Sequence, residues 1–249
     1  MATYFESKKE NGSFVINDQY LAVQLLGAFK GEQATYKYQD HEDTYILNTG
    51  SLNAKEVIWG FSLNSIIGLG IQSVMFEPIS ETQLKIRLFK RTQETKEHNN
   101  TWTKRDDASI QKFIFYAFTY KRVFNKSANL TGIEIYDANG NVVYSSAIKA
   151  IHIKRVFSGK GWFRGGASGI EGSVSISWNG EGVLIPIGYL LYIDRDVMCY
   201  GDVVGVSVNS SGNGTLYLTN FSCTSSHRRP TRYSRLLFNT LGCLICELR

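Results

Sequence analysis

Proline is scarce in this sequence, with three residues (Pro78, Pro186, Pro230) among 249, whereas glycine reaches 23. Turns are therefore expected to rest on glycine and asparagine, which enter the left-handed backbone region at low cost. No stretch reaches the roughly 18 apolar residues that a membrane-spanning helix needs, so no stable membrane insertion is expected. The first fourteen residues hold no apolar segment and no cleavage site, so no secretory signal is expected either. Folding in a reducing cytosol follows from that expectation. The four cysteines (Cys199, Cys223, Cys243, Cys246) then read as free thiols and not as a disulfide framework.

Chemistry-bearing motifs are missing in the same way. Cys243-x-x-Cys246 is the nearest to one, but a structural zinc site needs a second such pair or two histidines, and here the other thiols are scattered and His227 stands alone. A redox Cys-x-x-Cys needs a strand-to-helix setting that the pattern does not offer. The remaining histidines fall in polar stretches (His41, His98) or between Ile151 and Ile153 on a strand (His152), where solvent or a partner is the expected neighbour. No Gly-x-Ser-x-Gly elbow occurs, and the glycines at 159–166 lead into no phosphate-binding helix. No metal, no cofactor and no catalytic residues are assigned, and the chain is read as a non-enzyme.

Positive charge is unevenly placed. Residues 227–249 carry five Arg (Arg228, Arg229, Arg232, Arg235, Arg249), no Lys and one acid, Glu247, which leaves the preceding body almost neutral. A nearly neutral body does not suit a nucleic-acid groove, which needs many phosphate-neutralising side chains on one face.

What is abundant is the vocabulary of β-structure. Aromatics are plentiful (14 Tyr, 14 Phe, 4 Trp), and Thr, Val and Ile recur throughout. Apolar and polar residues alternate along Thr82–Lys90, where Leu84, Ile86 and Leu88 point one way and Lys85 and Arg87 the other, towards water. Gly172–Trp178 and Val204–Val208 alternate too, and Thr215–Phe221 follows a Gly/Asn turn, which together spell a hairpin. The aromatic-rich stretch Ser109–Phe124 reads as a long buried strand, with a helix as the alternative. Short strands at regular spacing predict an all-β fold of sandwich or barrel type.

An internal repeat is the reading that organises that fold, with two unrelated Asn-Gly hairpins that look alike as the alternative. Phe5–Asn17 matches Ile133–Ser145 without a gap, at an offset of 128 residues, and both segments have the order strand, polar turn closing on Asn-Gly, strand. Asn11-Gly12 and Asn139-Gly140 define the two turns. The expectation is two related β-sandwich or barrel-like modules, 1–126 and 127–226, joined near Asn125–Leu130. A basic C-terminal extension, 227–249, follows. There Leu237, Leu241, Leu244 and Leu248 suggest one stripe of a helix that docks away from the body, with folding back as a cap on its own body as the alternative.

The hairpin Gly132–Ser146 joins a strand with an aromatic, Asp137-x-x-Gly140, and a second strand ending in Ser145-Ser146. It resembles a segment of small structural proteins of tailed-bacteriophage tails, and the stretch from Tyr4 to Tyr20 is similar to the start of such proteins. The resemblance covers about forty residues, and the C-terminal Arg/Cys/Leu segment departs from it. It implies a virion structural protein at the distal tail (tail tip, baseplate or fibre attachment). Synthesis would take place in the host cytoplasm and assembly with other virion tail proteins, as a homo-oligomer in a symmetric ring or fibre complex, without catalysis. A second reading is a receptor- or glycan-binding module for virus–host interaction. Its contacts would be Trp102 in a charged loop and Trp162-Phe163 in a glycine-rich one, because tryptophan is enriched at interface hot spots; the alternative for each is a cap on its own sheet, which is the favoured reading for Trp102. A third is a glycan hydrolase with carboxylates such as Asp106-Asp107 or Asp194 and Asp196, whose separation a sequence does not supply. Arg228, Arg229, Arg232 and Arg235 complete the candidate interaction residues.

Overall fold

A computed structural model describes residues 6–8, 14–17, 23–39, 42–91, 102–103, 107–119, 134–136, 142–145, 149–159, 170–188, 190–193, 198–224 and 241–248. Most of these residues lie in antiparallel strands. In chain order a hairpin, β1 (Glu6–Lys8) and β2 (Phe14–Asn17), precedes β3 (Gln24–Lys30), β4 (Ala34–Gln39), β5 (Glu42–Asn48), β6 (Ile58–Ser62), β7 (Ile71–Pro78), β8 (Gln83–Arg91), β9 (Trp102–Thr103) and β10 (Ile114–Thr119). A second hairpin, β11 (Glu134–Tyr136) and β12 (Val142–Ser145), precedes β13 (Ile151–Gly159), β14 (Ile170–Ile176), β15 (Glu181–Gly188), β16 (Leu190–Ile193), β17 (Met198–Val208), β18 (Gly214–Thr224) and β19 (Leu241–Leu248). The only α-helical turn among the described residues is Asp107–Ile110, just before β10. The all-β expectation is met.

Two sheets form the body. One has six strands in the order β13-β19-β15-β6-β10-β3; the other has nine, with the path β14-β18-β17-β7-β8-β5-β4, β16 added to β17 and β9 to β8. Each sheet takes strands from both halves of the chain, so the halves share two sheets and do not build one sandwich each. The edge strands of the six-stranded sheet also meet. Gln24 and Ala150 form an antiparallel bridge, Leu25 N–H donates to Lys149 O at 2.9 Å, and Ile151 N–H donates to Val23 O at 3.0 Å. The sheet therefore curls until its two margins touch.

Alternation explains how both faces of this sheet are filled. On β10, Phe115 and Ala117 face the nine-stranded sheet, while Tyr116 and Phe118 belong to a second cluster inside the curl with Val183, Ile185 and Cys246. A strand buried on both faces reads as a continuous apolar run, here residues 114–118 of β10. The main core lies between the sheets and includes Phe61, Phe113, Leu47, Leu63, Ile66, Leu84, Ile86 and Leu216, all fully buried. Full burial of each such side chain contributes roughly 1.5–3 kcal/mol. On β8, Leu84 and Ile86 face this core as their alternation requires. Lys85, expected in water, is buried, and Arg87 is held by the Glu77 carboxylate at 2.6 Å. Neighbouring β7 and β5 flank β8 on both sides and cover what sequence alone leaves wet.

Registers in the two halves coincide at an offset of 128 residues. The pairs Glu6–Asn17, Ser7–Ile16 and Lys8–Phe14 become Glu134–Ser145, Ile135–Tyr144 and Tyr136–Val142, with the same irregularity between the second and third pairs. Between β3 and β10 the pairs Phe29–Phe115, Gly27–Ala117 and Leu25–Phe118 skip Leu26. Between β13 and β19 the pairs Phe157–Cys243, Arg155–Ile245 and Ile153–Cys246 skip Lys154. The turn residues Asn11, Gly12, Asn139 and Gly140 lie outside the described residues.

The C-terminal reading is corrected. Leu241–Leu248 is not a helix leaving the body but β19, hydrogen-bonded between β13 and β15 in the six-stranded sheet. Cys243 and Ile245 face the intersheet core, and Leu244, Cys246 and Leu248 face the curl. A strand apolar on both faces puts leucines at many spacings, including those of a helical stripe. Arg228, Arg229, Arg232, Arg235 and Leu237 lie outside the described residues.

Candidate functional site

The densest polar network among the described residues joins the halves at one end of the curled sheet. β6 ends at Ser62 and turns through a 3-10 segment, Asn64–Ile66; β15 starts at Glu181, directly after Gly180, whose φ is +69°. Because β15 lies beside β6, Glu181 comes within reach of residues more than a hundred positions earlier. Its Oε1 accepts from the Ser62 hydroxyl and from the Tyr116 hydroxyl at 3.2 Å, and its Oε2 accepts from Asn64 Nδ2 at 3.1 Å. Asn64 Oδ1 in turn accepts from the Trp178 indole N–H at 2.7 Å. Ser65 ties the segment down: its N–H donates to the Ser62 hydroxyl oxygen at 3.1 Å, and its own hydroxyl donates to Ser62 O at 2.8 Å.

Trp178 occupies space that two glycines leave free. A Cβ on Gly182 of β15 would stand 2.5 Å from the indole, and one on Gly214 of β18 would stand 2.8 Å from it. The ring thus clips one sheet to the other. Near it the Glu247 carboxylate, almost wholly buried, accepts from Asn179 N–H at 2.9 Å and pairs with Lys154 Nζ at 3.3 Å. Glu247 is in register with Gly182, the neighbour of Glu181, so the two carboxylates lie on opposite faces of the sheet and flank no common groove.

Electrostatics make this network a fastener. Burial, followed by the charge and hydrogen bond of Glu181, pushes the Tyr116 hydroxyl up to about 12, so it stays a donor through the neutral range. Three donors converge on Glu181, an arrangement that fixes a carboxylate in place. Beside Trp178 a shallow hollow of about 360 Å³ is lined by Ser175, Ile176, Ser177, Asn209, Asn213, Gly214 and Thr215, none of them charged.

The residues singled out from sequence are distributed differently. Trp102 stands on the short β9 in register with Arg91. Trp162 and Phe163 lie outside the described residues, as do Asp106, Asp194 and Asp196. Cys243 and Cys246 fall on opposite faces of β19, three residues apart on a strand, so the Cys-x-x-Cys spacing brings no two thiols together. Both thiols are buried, and burial pushes each up to about 12. Among the described residues no three His, Cys, Asp or Glu side chains gather as metal ligands would. The structure does bring together a pair that reading along the chain keeps apart. Cys199 and Cys223 stand directly opposite each other in the β17–β18 ladder. The signal was present: both are twelve residues from Ser211, at the centre of the hairpin turn. Comparison with known proteins adds no relative: no family model, no curated protein and no solved structure matches the chain.

Proposed function

We propose that this chain is a virion structural protein of a bacteriophage distal tail, acting by protein–protein assembly without catalysis, and that its two halves descend from one duplicated unit. The observation that carries the reading is the repeated hairpin. The segment that resembles phage tail proteins, Glu134–Ser145, recurs at Glu6–Asn17 with the same register and the same irregularity. Strands of both halves interleave in two sheets, which supports a rigid building block that meets its neighbours through its surface. Its polar network is spent on joining the halves, which suits a scaffold better than a reaction centre. Partners are other tail proteins and further copies of this chain, in a symmetric ring or fibre complex within the virion. Mass spectrometry of purified particles tests this: the chain is expected at stoichiometric level in the particle, and its presence only in the infected lysate refutes the reading.

A second reading, glycan binding, is favoured by one feature, the hollow beside Trp178. Its hydroxyl and amide lining is uncharged and offers both donors and acceptors, the chemistry a sugar ring needs. A glycan array on the purified chain, with Asn213→Ala as control, separates this from a purely structural role. The hydrolase reading gains nothing from Glu181 and Glu247, which face away from each other.

A further inference from the structure

We propose that Cys199 and Cys223 are a reversible redox site, closing into a cross-strand disulfide within the nine-stranded sheet. The ladder between β17 and β18 runs from Met198–Thr224 to Val208–Gly214 without a register shift, and Cys199–Cys223 is its second pair from the open end. Directly opposite residues lie on the same face of a sheet, with Cα atoms about 4.5–5.5 Å apart, inside the span of about 4.4–6.8 Å that disulfides bridge.

Position along the ladder sets the character of the bond. At the turn, Asn209 N–H donates to Asn213 O at 2.9 Å and Gly212, with φ +77°, donates to Asn209 O at 3.0 Å. Asn209–Asn213 is thus a hydrogen-bonded pair. Such pairs alternate along an antiparallel ladder, so Cys199–Cys223, ten residues further on each strand, is hydrogen-bonded as well. Cβ atoms at such pairs sit near the wide end of about 4.5–5.5 Å, whereas a relaxed disulfide has them about 3.5–4.5 Å apart. The strands must draw together when the bond forms, and a bond formed under strain is readily reduced. β17 is gripped on its other side at the same place, where Ile193 of β16 is in register with Cys199. Closure therefore staples an interior part of the sheet.

The site is selective among the four thiols. Cys243 and Cys246 are buried, face opposite sides of β19 and stay protonated at neutral pH, so neither supplies the thiolate that exchange requires. The reaction balances with a small-molecule disulfide such as oxidised glutathione. One cysteine thiolate attacks it, giving a mixed disulfide and one released glutathione thiol. The second cysteine then displaces the other glutathione and forms the Cys199–Cys223 bond. Two protein S–H bonds and one glutathione S–S bond are lost, and one protein S–S bond and two glutathione thiols are gained. This site stands apart from the virion reading, and either can fail without the other.

The test uses the full chain, equilibrated in glutathione buffers, quenched with acid and alkylated with a maleimide in denaturant. Reduced protein has four cysteines to alkylate. After equilibration with excess oxidised glutathione, uptake should fall to two. The tryptic peptide 196–228, which holds both residues, should be lighter by two hydrogens, and cleavage at Asp202 should leave its pieces linked. In a buffer at a cytosolic glutathione ratio, uptake should return to four. Cys199→Ser and Cys223→Ser each lack the resolving thiol, so in the oxidising buffer each should stop at a mixed disulfide, carrying one glutathione and no internal bond, and at the cytosolic ratio each should alkylate at all three remaining cysteines. Uptake of four after oxidation, a bond to Cys243 or Cys246, a bond between two chains, or a bond that survives the cytosolic ratio overturns the proposal.

Discussion

Where β3 meets β10, the ladder skips Leu26, and the pair at its end is Gln24 with Thr119; where β13 meets β19, it skips Lys154, and the corresponding pair is His152 with Glu247. One backbone arrangement thus holds only neutral side chains in the first half and, in the second, a Glu247 carboxylate paired with the ammonium of the skipped Lys154. Leu26 is half-buried and Thr119 buried, whereas Lys154 reaches solvent and returns its ammonium to a carboxylate that is itself hidden. The difference teaches that register here is set by backbone and apolar pattern, and that the side chains at the skipped position are free to diverge as long as buried charge is matched. The second half also shows apolar residues to solvent, Ile153 at 47% and Val156 at 60% exposure, where the first half has the half-buried Leu25 and the small Ala28.

The strongest way to break the correspondence is at its centre. Gly60 is in register with Tyr116 and Ile185 with Leu244, and Leu244 lies 128 residues after Tyr116, so Gly60 and Ile185 are counterparts. They also touch: a Cβ on Gly60 would stand 2.9 Å from Ile185 Cγ1 and 3.0 Å from Leu184 O. Gly60→Ile should cost about 3 kcal/mol or more, through overpacking at a site that has no room to relax. Adding Ile185→Gly should recover a substantial part of that loss, as coupled neighbours do. Urea denaturation of the four proteins of this cycle checks it, and additivity of the two losses would show that the pair is not coupled.

A smaller effect is expected from exchanging the halves' own solutions. Glu247→Ala leaves Lys154 without its partner and Asn179 N–H without its acceptor; because Lys154 can turn to water, the loss should be about 2 kcal/mol rather than the larger figure for a fully enclosed pair. The double replacement Lys154→Leu with Glu247→Thr copies the first half and should lie within about 1 kcal/mol of the parent, since apolar replacement of a buried pair is often neutral. Chemical denaturation midpoints at matched slopes decide it.

Smallest is the comparison of Tyr116 with its counterpart Leu244. Tyr116→Phe removes one hydrogen bond to a carboxylate that keeps two other donors, so about 1 kcal/mol should be lost near neutral pH. Its pH signature is more informative. Tyr116 is raised from 10.0 to about 12, and Cys243 and Cys246 from 9.0 to about 12. Between those values the unfolded chain has released these protons while the folded chain holds them, so stability should fall as pH climbs from about 9 towards 12. The fall should be shallower in Tyr116→Phe above pH 10 when unfolding is followed by circular dichroism.

Much of this fold can be read along the chain, and what escapes is physical in origin. Alternation at Leu84 and Ile86 and the Gly/Asn turn between Val208 and Gly214 place strands and a hairpin, because both depend on neighbours a few residues apart. Lys85 escapes because its cover comes from other strands. Leu241–Leu248 escapes because a two-sided apolar strand and an amphipathic helix share leucine spacings, and only the gap between β13 and β15 decides between them. The Glu181 network escapes almost entirely. Ser62, Asn64, Tyr116 and Trp178 carry no spacing that marks them, and they meet only once β6 and β15 pair.

Gly60 and Ile185 carry one more consequence. In an assembly of two identical units, the residue on the twofold axis must face itself: two isoleucines there would collide, and two glycines would leave a void. A single chain escapes that rule, and this one has a knob on one side of the axis and a hole on the other. Each half is thereby shaped to fit its complement and to reject its own kind, so that when many copies fold side by side, first half against first half and second against second are both disfavoured.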